Sequence, residues 1–291
     1  LVGSEMCIRD RRRAGYATAL VGKKHVGPDS AFPYEAELVP ERGGIRDVRE
    51  LAIAAASFIR STDERPFFVT IAYSDPHRAA VDYGNDRAWP GVKPESYDPR
   101  RVQIPSHLPD LPAVRQDIAE YYESLSRLDA GVGMILDDLA ATGRADDTLV
   151  IFLSDNGRPF PGAKTNLYDA GLHLPLIVHA PGSAPAVNDA MVSWTDIAPT
   201  VLDWTGVAPP AAYKLSGTSL LPILGKAGDP ARDAVVASHD FHEINQYYPM
   251  RSIRTRTHNY ILNLAWQLPY PIAGDVAGSP SWKACLLYTS P

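Results

Sequence analysis

Apolar runs that stop abruptly at polar, glycine-bearing junctions recur along this chain, and helix-like segments separate them. "ATALVGKKHVG" reads as a short strand, Ala17 to Val21, running into a polar loop. "PFFVTIAYS" is a continuous apolar run bounded by Pro66 and Asp75-Pro76, and it predicts a strand buried on both faces. "TLVIFLSDNG" and "LPLIVHAP" are of the same kind. Between them, "DVRELAIAAASFIRS" places Leu51, Ala54, Ala55, Phe58 and Ile59 at helical spacing behind Asp47, a plausible N-cap. The longest helix is predicted over Ala113 to Thr142, with a core stripe of Ile118, Tyr122, Leu125, Val132, Ile135, Leu136 and Leu139. "SWTDIAPTVLDWTGV" predicts a further helix with Pro199 in its early turn. Such alternation argues for an α/β fold, a mostly parallel sheet flanked by helices, with ligands gathering at the carboxyl ends of the strands.

The proline-rich stretch from Trp89 to Pro112 reads as irregular surface chain. Beyond residue 228 the texture changes to short aromatic segments, "AVVASHDF", "YYPMRSIRT" and "HNYILNLA", which predict a smaller, mostly antiparallel C-terminal unit. The expected division is a main domain over 12–227 and a subdomain over 228–284. The ends, 1–11 ("LVGSEMCIRD" and Arg11) and 285–291 ("CLLYTSP"), carry no periodicity that continues into their neighbours. They resemble translated sequencing-adapter read-through and are expected to be non-native. Both cysteines, Cys7 and Cys285, lie there, so neither a disulfide framework nor a zinc site is expected.

With 291 residues, 45% of them hydrophobic, the chain can bury one large or two unequal cores. A net charge of -6 leaves no basic footprint for nucleic acid. The one basic run, Arg9 with Arg11, Arg12 and Arg13, reads as a solvated surface. No apolar stretch approaches the ~20 residues of a membrane span.

Three strand-to-loop junctions carry chemistry. In Gly22-Lys23-Lys24-His25, strand-like alternation puts Lys23 and His25 on one face and Lys24 on the other. The second junction is Ser74-Asp75-Pro76-His77-Arg78, and the third is Asp155-Asn156-Gly157 with Lys164 downstream. Singly, each reads as an ordinary loop: Asn and Gly favour turns, and a lone lysine is usually solvated. If the three strands end together, however, an Asp and an Asn supply hard oxygens suited to Ca²⁺ or Mg²⁺. Lysines and histidines beside them make an electropositive pocket for a tetrahedral oxyanion. Gly157 is expected to let the backbone turn sharply there. The chemistry implied is hydrolysis of a sulfuryl or phosphoryl ester or amide.

"GYATALVGKKHVG" resembles the sulfatase signature G-Y-x-T-x-x-x-G-K-x-H-x-G. "FFVTIAYSDPHRA", "FLSDNGRPFPGAKTNLY" and "VSWTDIAPTVLDWTGV" are similar to that family's Pro-His strand end, second metal-binding segment and D-I-x-P-T-x-L helix. Together with the downstream "HEINQYYPMRSIRTRTHNYILNLAWQLPYPI", they resemble its heparan N-sulfatase branch over residues 12–283. The resemblance implies an alkaline-phosphatase-like α/β fold and a sulfated sugar or glycosaminoglycan, foremost N-sulfoglucosamine, as substrate. Asp155 and Asn156 would then bind a catalytic Ca²⁺, and Lys23, His25 and Lys164 would contact the sulfate. His77 would bind the sulfate or donate a proton. His242, Glu243 and Arg251 would recognise the glucosamine, or else form a packed edge of the second unit. A secreted, periplasmic or lysosomal location is implied as well.

In that family a cysteine in C-x-P-S-R becomes the formylglycine nucleophile. This sequence contains no C-x-P-S-R, and the paired aspartates that normally complete the metal shell are missing too. The chain alone is therefore expected to be an inactive fragment that binds Ca²⁺ poorly. Two rivals remain: a phosphodiesterase or phosphomonoesterase of the same superfamily, which Asn156 disfavours because those enzymes commonly carry D-H-G, and a non-catalytic sugar-binding homologue.

Overall fold

The computed structural model describes residues 4–41, 44–78, 82–209, 214–243 and 246–289. At its centre lies β1 (Ala17–Gly22), all six residues of which are buried. It pairs in parallel with β2 (Ala36–Leu38) on one side and β3 (Phe67–Ala72) on the other. Leu51 and Ala55 of α2 (Val48–Ser61) cover this sheet by packing with Val21, Val69 and Ile71. The Asp47 side chain accepts the Arg49 and Glu50 backbone N–H groups, both at 3.2 Å, and so caps α2 as its sequence predicts. Asp47→Ala should lower stability by about 1 kcal/mol, measured as a shift in urea midpoint at constant m-value.

The long helix α3 runs from Pro112 to Ala141. Its buried face takes in most of the expected apolar stripe, with Ile118 and Leu139 buried and Tyr122, Leu125 and Ile135 packed against core residues, and it adds polar residues that the stripe did not include. Leu136 is exposed, whereas Asp117, Ser124 and Arg127 are buried. Apolar periodicity missed these polar members because they pair with other elements. Asp117 accepts the backbone N–H and hydroxyl of Ser281, from a helix at the far end of the chain.

The parallel sheet does not continue into the next two strands. β4 (Val150–Leu153) and β5 (Leu176–His179) pair antiparallel as a separate ladder among the described residues. The connection between them holds only the four-residue α4 (Asp169–Leu172). A parallel return needs a full crossover, usually helical. The helix α5 (Ile197–Thr205) follows a 3-10 turn capped reciprocally by Ser193 and Asp196.

The C-terminal strands β6 (Ala234–His242), β7 (Gln246–Thr255) and β8 (Asn259–Asn263) form an antiparallel sheet in that order, as expected. Its inner face sets Tyr248 and Met250 against Leu167, with Leu172, Ala237, Ile261 and Tyr270 around them. This contact seats the sheet on the loop that follows β4. Two helices close the chain, α6 (Gly274–Ala277) and α7 (Pro280–Thr289), the latter against α3. Residues 4–11, ahead of Arg12, are helical. In α1 (Ser4–Arg13), Ile8 and Arg11 are buried, and the Arg11 guanidinium lies 4.7 Å from the Phe68 ring centroid.

Candidate active site

The site begins where β1 ends. Gly22 has φ +94°, and a Cβ there would stand 2.4 Å from the Ala72 carbonyl oxygen of β3. The Lys23 backbone N–H donates to that same oxygen at 2.8 Å, so the glycine lets the two strand ends close together. Lys24 turns away to Asp29 (2.8 Å) and Glu37 (2.7 Å). Lys23 is half-buried and its charge acts on the exposed His25, as the alternation read from the sequence expects.

After β3, only His77 of the Ser74–Arg78 junction reaches the site. Asp75 is buried, and Arg46, Arg127 and Ser124 all donate to its carboxylate. Arg46 also donates to the His77 carbonyl oxygen at 3.1 Å, tying this buried hub to the loop that presents the imidazole. Arg78 is buried against Asp117 at 2.8 Å, with Tyr83 and Phe160 beside its guanidinium.

After β4, Asp155 and Asn156 are exposed and the Ser154 hydroxyl donates to the Asn156 carbonyl oxygen at 2.8 Å. The expected sharp turn at Gly157 has a different physical basis. Its φ is not positive, but a Cβ would lie 2.9 Å from backbone atoms of Ala163, Ala170 and Gly171. The glycine thus allows close backbone approach, which folds the loop back and brings Lys164 in. Lys164 is buried, and its ammonium lies 2.6 Å from the Asp275 carboxylate.

The charges reveal the convergence. Burial lowers the Lys23 pKa, aided by Lys164 and Arg46, while Asp155 and Asp275 oppose the shift. Partial desolvation of its exposed ring and then the charge of Lys23 lower the His25 pKa, with Asp155 again opposing. His77 is pushed down to about 4, first by burial and then by Lys23 and Lys164. Groups from three strand ends therefore lie within one another's fields and form a cation-rich cluster. The sign for His77 is definite. Its unfolded value is near 6.5, so the unfolded chain binds more protons between about pH 4 and 6.5. Its contribution to stability is complete above pH 6.5 and is lost as pH falls toward 4. His77→Gln should flatten that part of a stability–pH profile, and the His77 ring resonances in an NMR titration should not move until well below pH 6.

Of the predicted sugar contacts, His242 joins the cluster. Burial and then Lys164 lower its pKa, with Glu243 and Asp275 opposing. Glu243 sits beside Gly274 with φ 56°, and the neighbouring Gln246 amide donates to the Ile272 carbonyl oxygen at 3.2 Å. Arg251 is not brought in. It lies on the outer face of the sheet, paired with Asp240 at 2.7 Å, and its strand partner Ser238 is remote from the His242↔Gln246 end. Strand alternation put it opposite the buried neighbours Met250 and Ser252.

Two residues of the site escaped sequence reading. Asp275 lies 111 positions from Lys164, and its Oδ2 is also 3.7 Å from the His77 Nε2. Arg46 lies in a short 3-10 turn before α2. Neither stands in a motif or a periodic pattern that could have marked it.

Asp155 and Asn156 are hard-oxygen donors and suit Ca²⁺ in kind. They do not suffice in number, since Ca²⁺ takes six to eight oxygens. Among the described residues no group of three or more His, Cys, Asp or Glu side chains could hold a metal.

The sulfatase family model matches residues 11–207, and a second model, N-sulphoglucosamine sulphohydrolase C-terminal, matches residues 163–267. This chain belongs to the sulfatase family. The sulfatase chain is 36% identical to human N-sulphoglucosamine sulphohydrolase, over 96% of its own length and 61% of that protein. It is 25% identical to the choline-sulfatase of Rhizobium meliloti, over 73% of itself and 55% of the relative. The chain spans about three fifths of the human relative. A putative sulfatase from Bacteroides thetaiotaomicron shares its fold with TM-score 0.63 at 20% identity, covering 89% of this chain and 65% of that one. A 2-O GAG sulfatase does so with TM-score 0.60 at 21% identity, covering 89% and 64%. The alkaline-phosphatase-like fold expected for a sulfatase is thereby found, and no helix among the described residues is long and apolar enough to cross a membrane.

Proposed function

We propose that this sulfatase chain serves hydrolysis of a sulfate ester or sulfamate on a sugar, foremost N-sulfoglucosamine of heparan-type glycans. The observation that carries this reading is the cluster in which Lys164 and His77 lie 2.6 and 3.7 Å from the one Asp275 carboxylate and the charges of Lys23 and Lys164 lower the pKa values of His25 and His77. Positive and hydrogen-bonding groups fixed in advance around a tetrahedral anion stabilise charge as it develops there. Lys23 and Lys164 supply the charge, and His25 and His77 donate ring N–H groups to sulfate oxygens. With a pKa of about 4, His77 is neutral near pH 7, so its role before an anion arrives is hydrogen bonding. His242 and Glu243 contact the sugar, and Arg251 takes no direct part. Residues 12–227 form the catalytic unit and 228–284 the smaller one that closes over it.

Asp155 and Asn156 serve as part of a Ca²⁺ shell whose other ligands are not among the described residues. Millimolar Ca²⁺ should consequently leave the thermal midpoint of this chain nearly unchanged, since stabilisation requires ligand well above its Kd. The formylglycine segment C-x-P-S-R is not in this sequence, so the 291-residue chain alone should release no sulfate from N-sulfoglucosamine. The direct test joins an upstream segment bearing C-x-P-S-R, converted to formylglycine, to residues 12–284. Sulfate release from N-sulfoglucosamine, lost in Lys23→Met and Lys164→Met variants, is the expected result. Turnover of phosphodiesters or phosphomonoesters in its place, or sugar binding without turnover, would refute the reading.

A further inference from the structure

An anion pocket that contains a carboxylate needs explanation. Asp275 sits 2.6 Å from the Lys164 ammonium and 3.7 Å from the His77 ring, and the paired Lys164 and Asp275 side chains are only 7% and 11% exposed. Its field also reaches Lys23 and His242. The other charges that shift His77 most, those of Lys23, Lys164 and Arg46, are positive. A fixed negative charge among these cations reduces the pocket's attraction for any anion. The penalty grows with the charge the anion carries, and at a site this secluded salt screens it weakly.

We infer that Asp275 is a specificity-determining residue, a built-in negative charge that favours monoanionic sulfate esters and sulfamates over dianionic phosphate monoesters. The inference rests on the anion-pocket reading above and adds the basis on which that pocket chooses its substrate class. Sulfate monoesters and sulfamates carry one negative charge. Phosphate monoesters have a second pKa of about 6 and carry two at pH 8. The two groups have the same tetrahedral shape, so geometry alone separates them poorly, whereas a carboxylate in the pocket does so by charge. Lys164 then has two functions: it neutralises Asp275 in the free protein and turns toward the sulfuryl oxygens of a bound ester.

The test is equilibrium binding of phenyl sulfate and phenyl phosphate to the 291-residue chain at pH 8, by calorimetry or NMR shift perturbation. The wild-type chain should prefer phenyl sulfate. Asp275→Asn, which keeps the shape and removes the charge, should move the ratio of the two dissociation constants at least fivefold toward phosphate. Asp275→Glu should restore the wild-type preference. Asp275→Ser makes the same charge deletion should the asparagine variant not fold. A purely structural ion pair would change both affinities alike, and an unchanged ratio in the charge-deleted variants would overturn the inference while leaving the anion pocket standing. Lys23→Met locates the bound anion: if it leaves both affinities untouched, the anion sits elsewhere and the inference falls. Failure of the wild-type chain to bind either ester would overturn the pocket reading and this inference together.

Discussion

Asp75→Ala should destabilise the protein by about 3–5 kcal/mol, the cost of removing one partner from a buried ion pair. The Asp75 side chain is fully buried, and it faces Arg127 at 2.6 Å and Arg46 at 2.6 Å, themselves 6% and 14% exposed. Arg127 and Arg46 retain neutral acceptors, including the Tyr83 carbonyl oxygen at 2.6 and 2.7 Å. None of these is an anion, so two guanidinium charges would stay buried without a counter-charge. Asp75→Asn should cost less, because it keeps the shape and one acceptor oxygen. An Asp98→Ala control breaks the Asp98–Arg100 pair on the surface and should leave the denaturation midpoint where it was. The Asp75 effect extends to the site, because Arg46 also holds the His77 carbonyl oxygen. A guanidinium chloride titration giving Asp75→Ala the stability of the control would refute this account of the hub.

Gly22→Ala should cost about 3 kcal/mol and weaken sulfate-ester binding as well. Two effects add at this residue. Its φ of +94° disfavours any side chain, and the new Cβ would stand 2.4 Å from the Ala72 oxygen and 3.1 Å from Leu51 Cδ2. That oxygen accepts the Lys23 N–H, so relief of the clash displaces the residue that carries a pocket ammonium. Gly15 separates the two effects. It has φ +87° with nothing within 4 Å of an added Cβ, so Gly15→Ala should cost only the conformational part, roughly 1–2 kcal/mol. Equal costs at the two positions would mean that the β1–β3 pair yields to the methyl group.

Local pattern and junction chemistry made much of the architecture legible. The apolar runs of β1, β3, β4 and β5 and the helical spacing of α2 all appear where the sequence places them. The sense of β4–β5 pairing was not legible, because it depends on how 154–175 folds back and a strand's own residues say nothing of that. The apolar stripe of α3 was legible apart from exposed Leu136, but its polar buried members were not, for a related reason. Asp117 and Arg127 count as polar in any periodicity, and partners from distant segments, Arg78 and Ser281 for Asp117 and Asp75, Tyr83 and Asn85 for Arg127, offset the cost of burying them.

The candidate site divides along the same line. Residue type and short-range spacing named Lys23, His25, His77, Asp155, Asn156 and Lys164, because alternation along a strand and a glycine after it are local matters of backbone geometry. Which of the distant candidates lie beside Lys164 depends on packing. Asp275 enters because Leu167, Tyr248 and Tyr270 seat the C-terminal sheet on the loop carrying Lys164, and Arg251 stays out because that same packing turns it to the outer face. Chemistry local to a strand end is written in neighbouring residues. Charge balance in a pocket sums over segments that meet only after hydrophobic burial has brought them together.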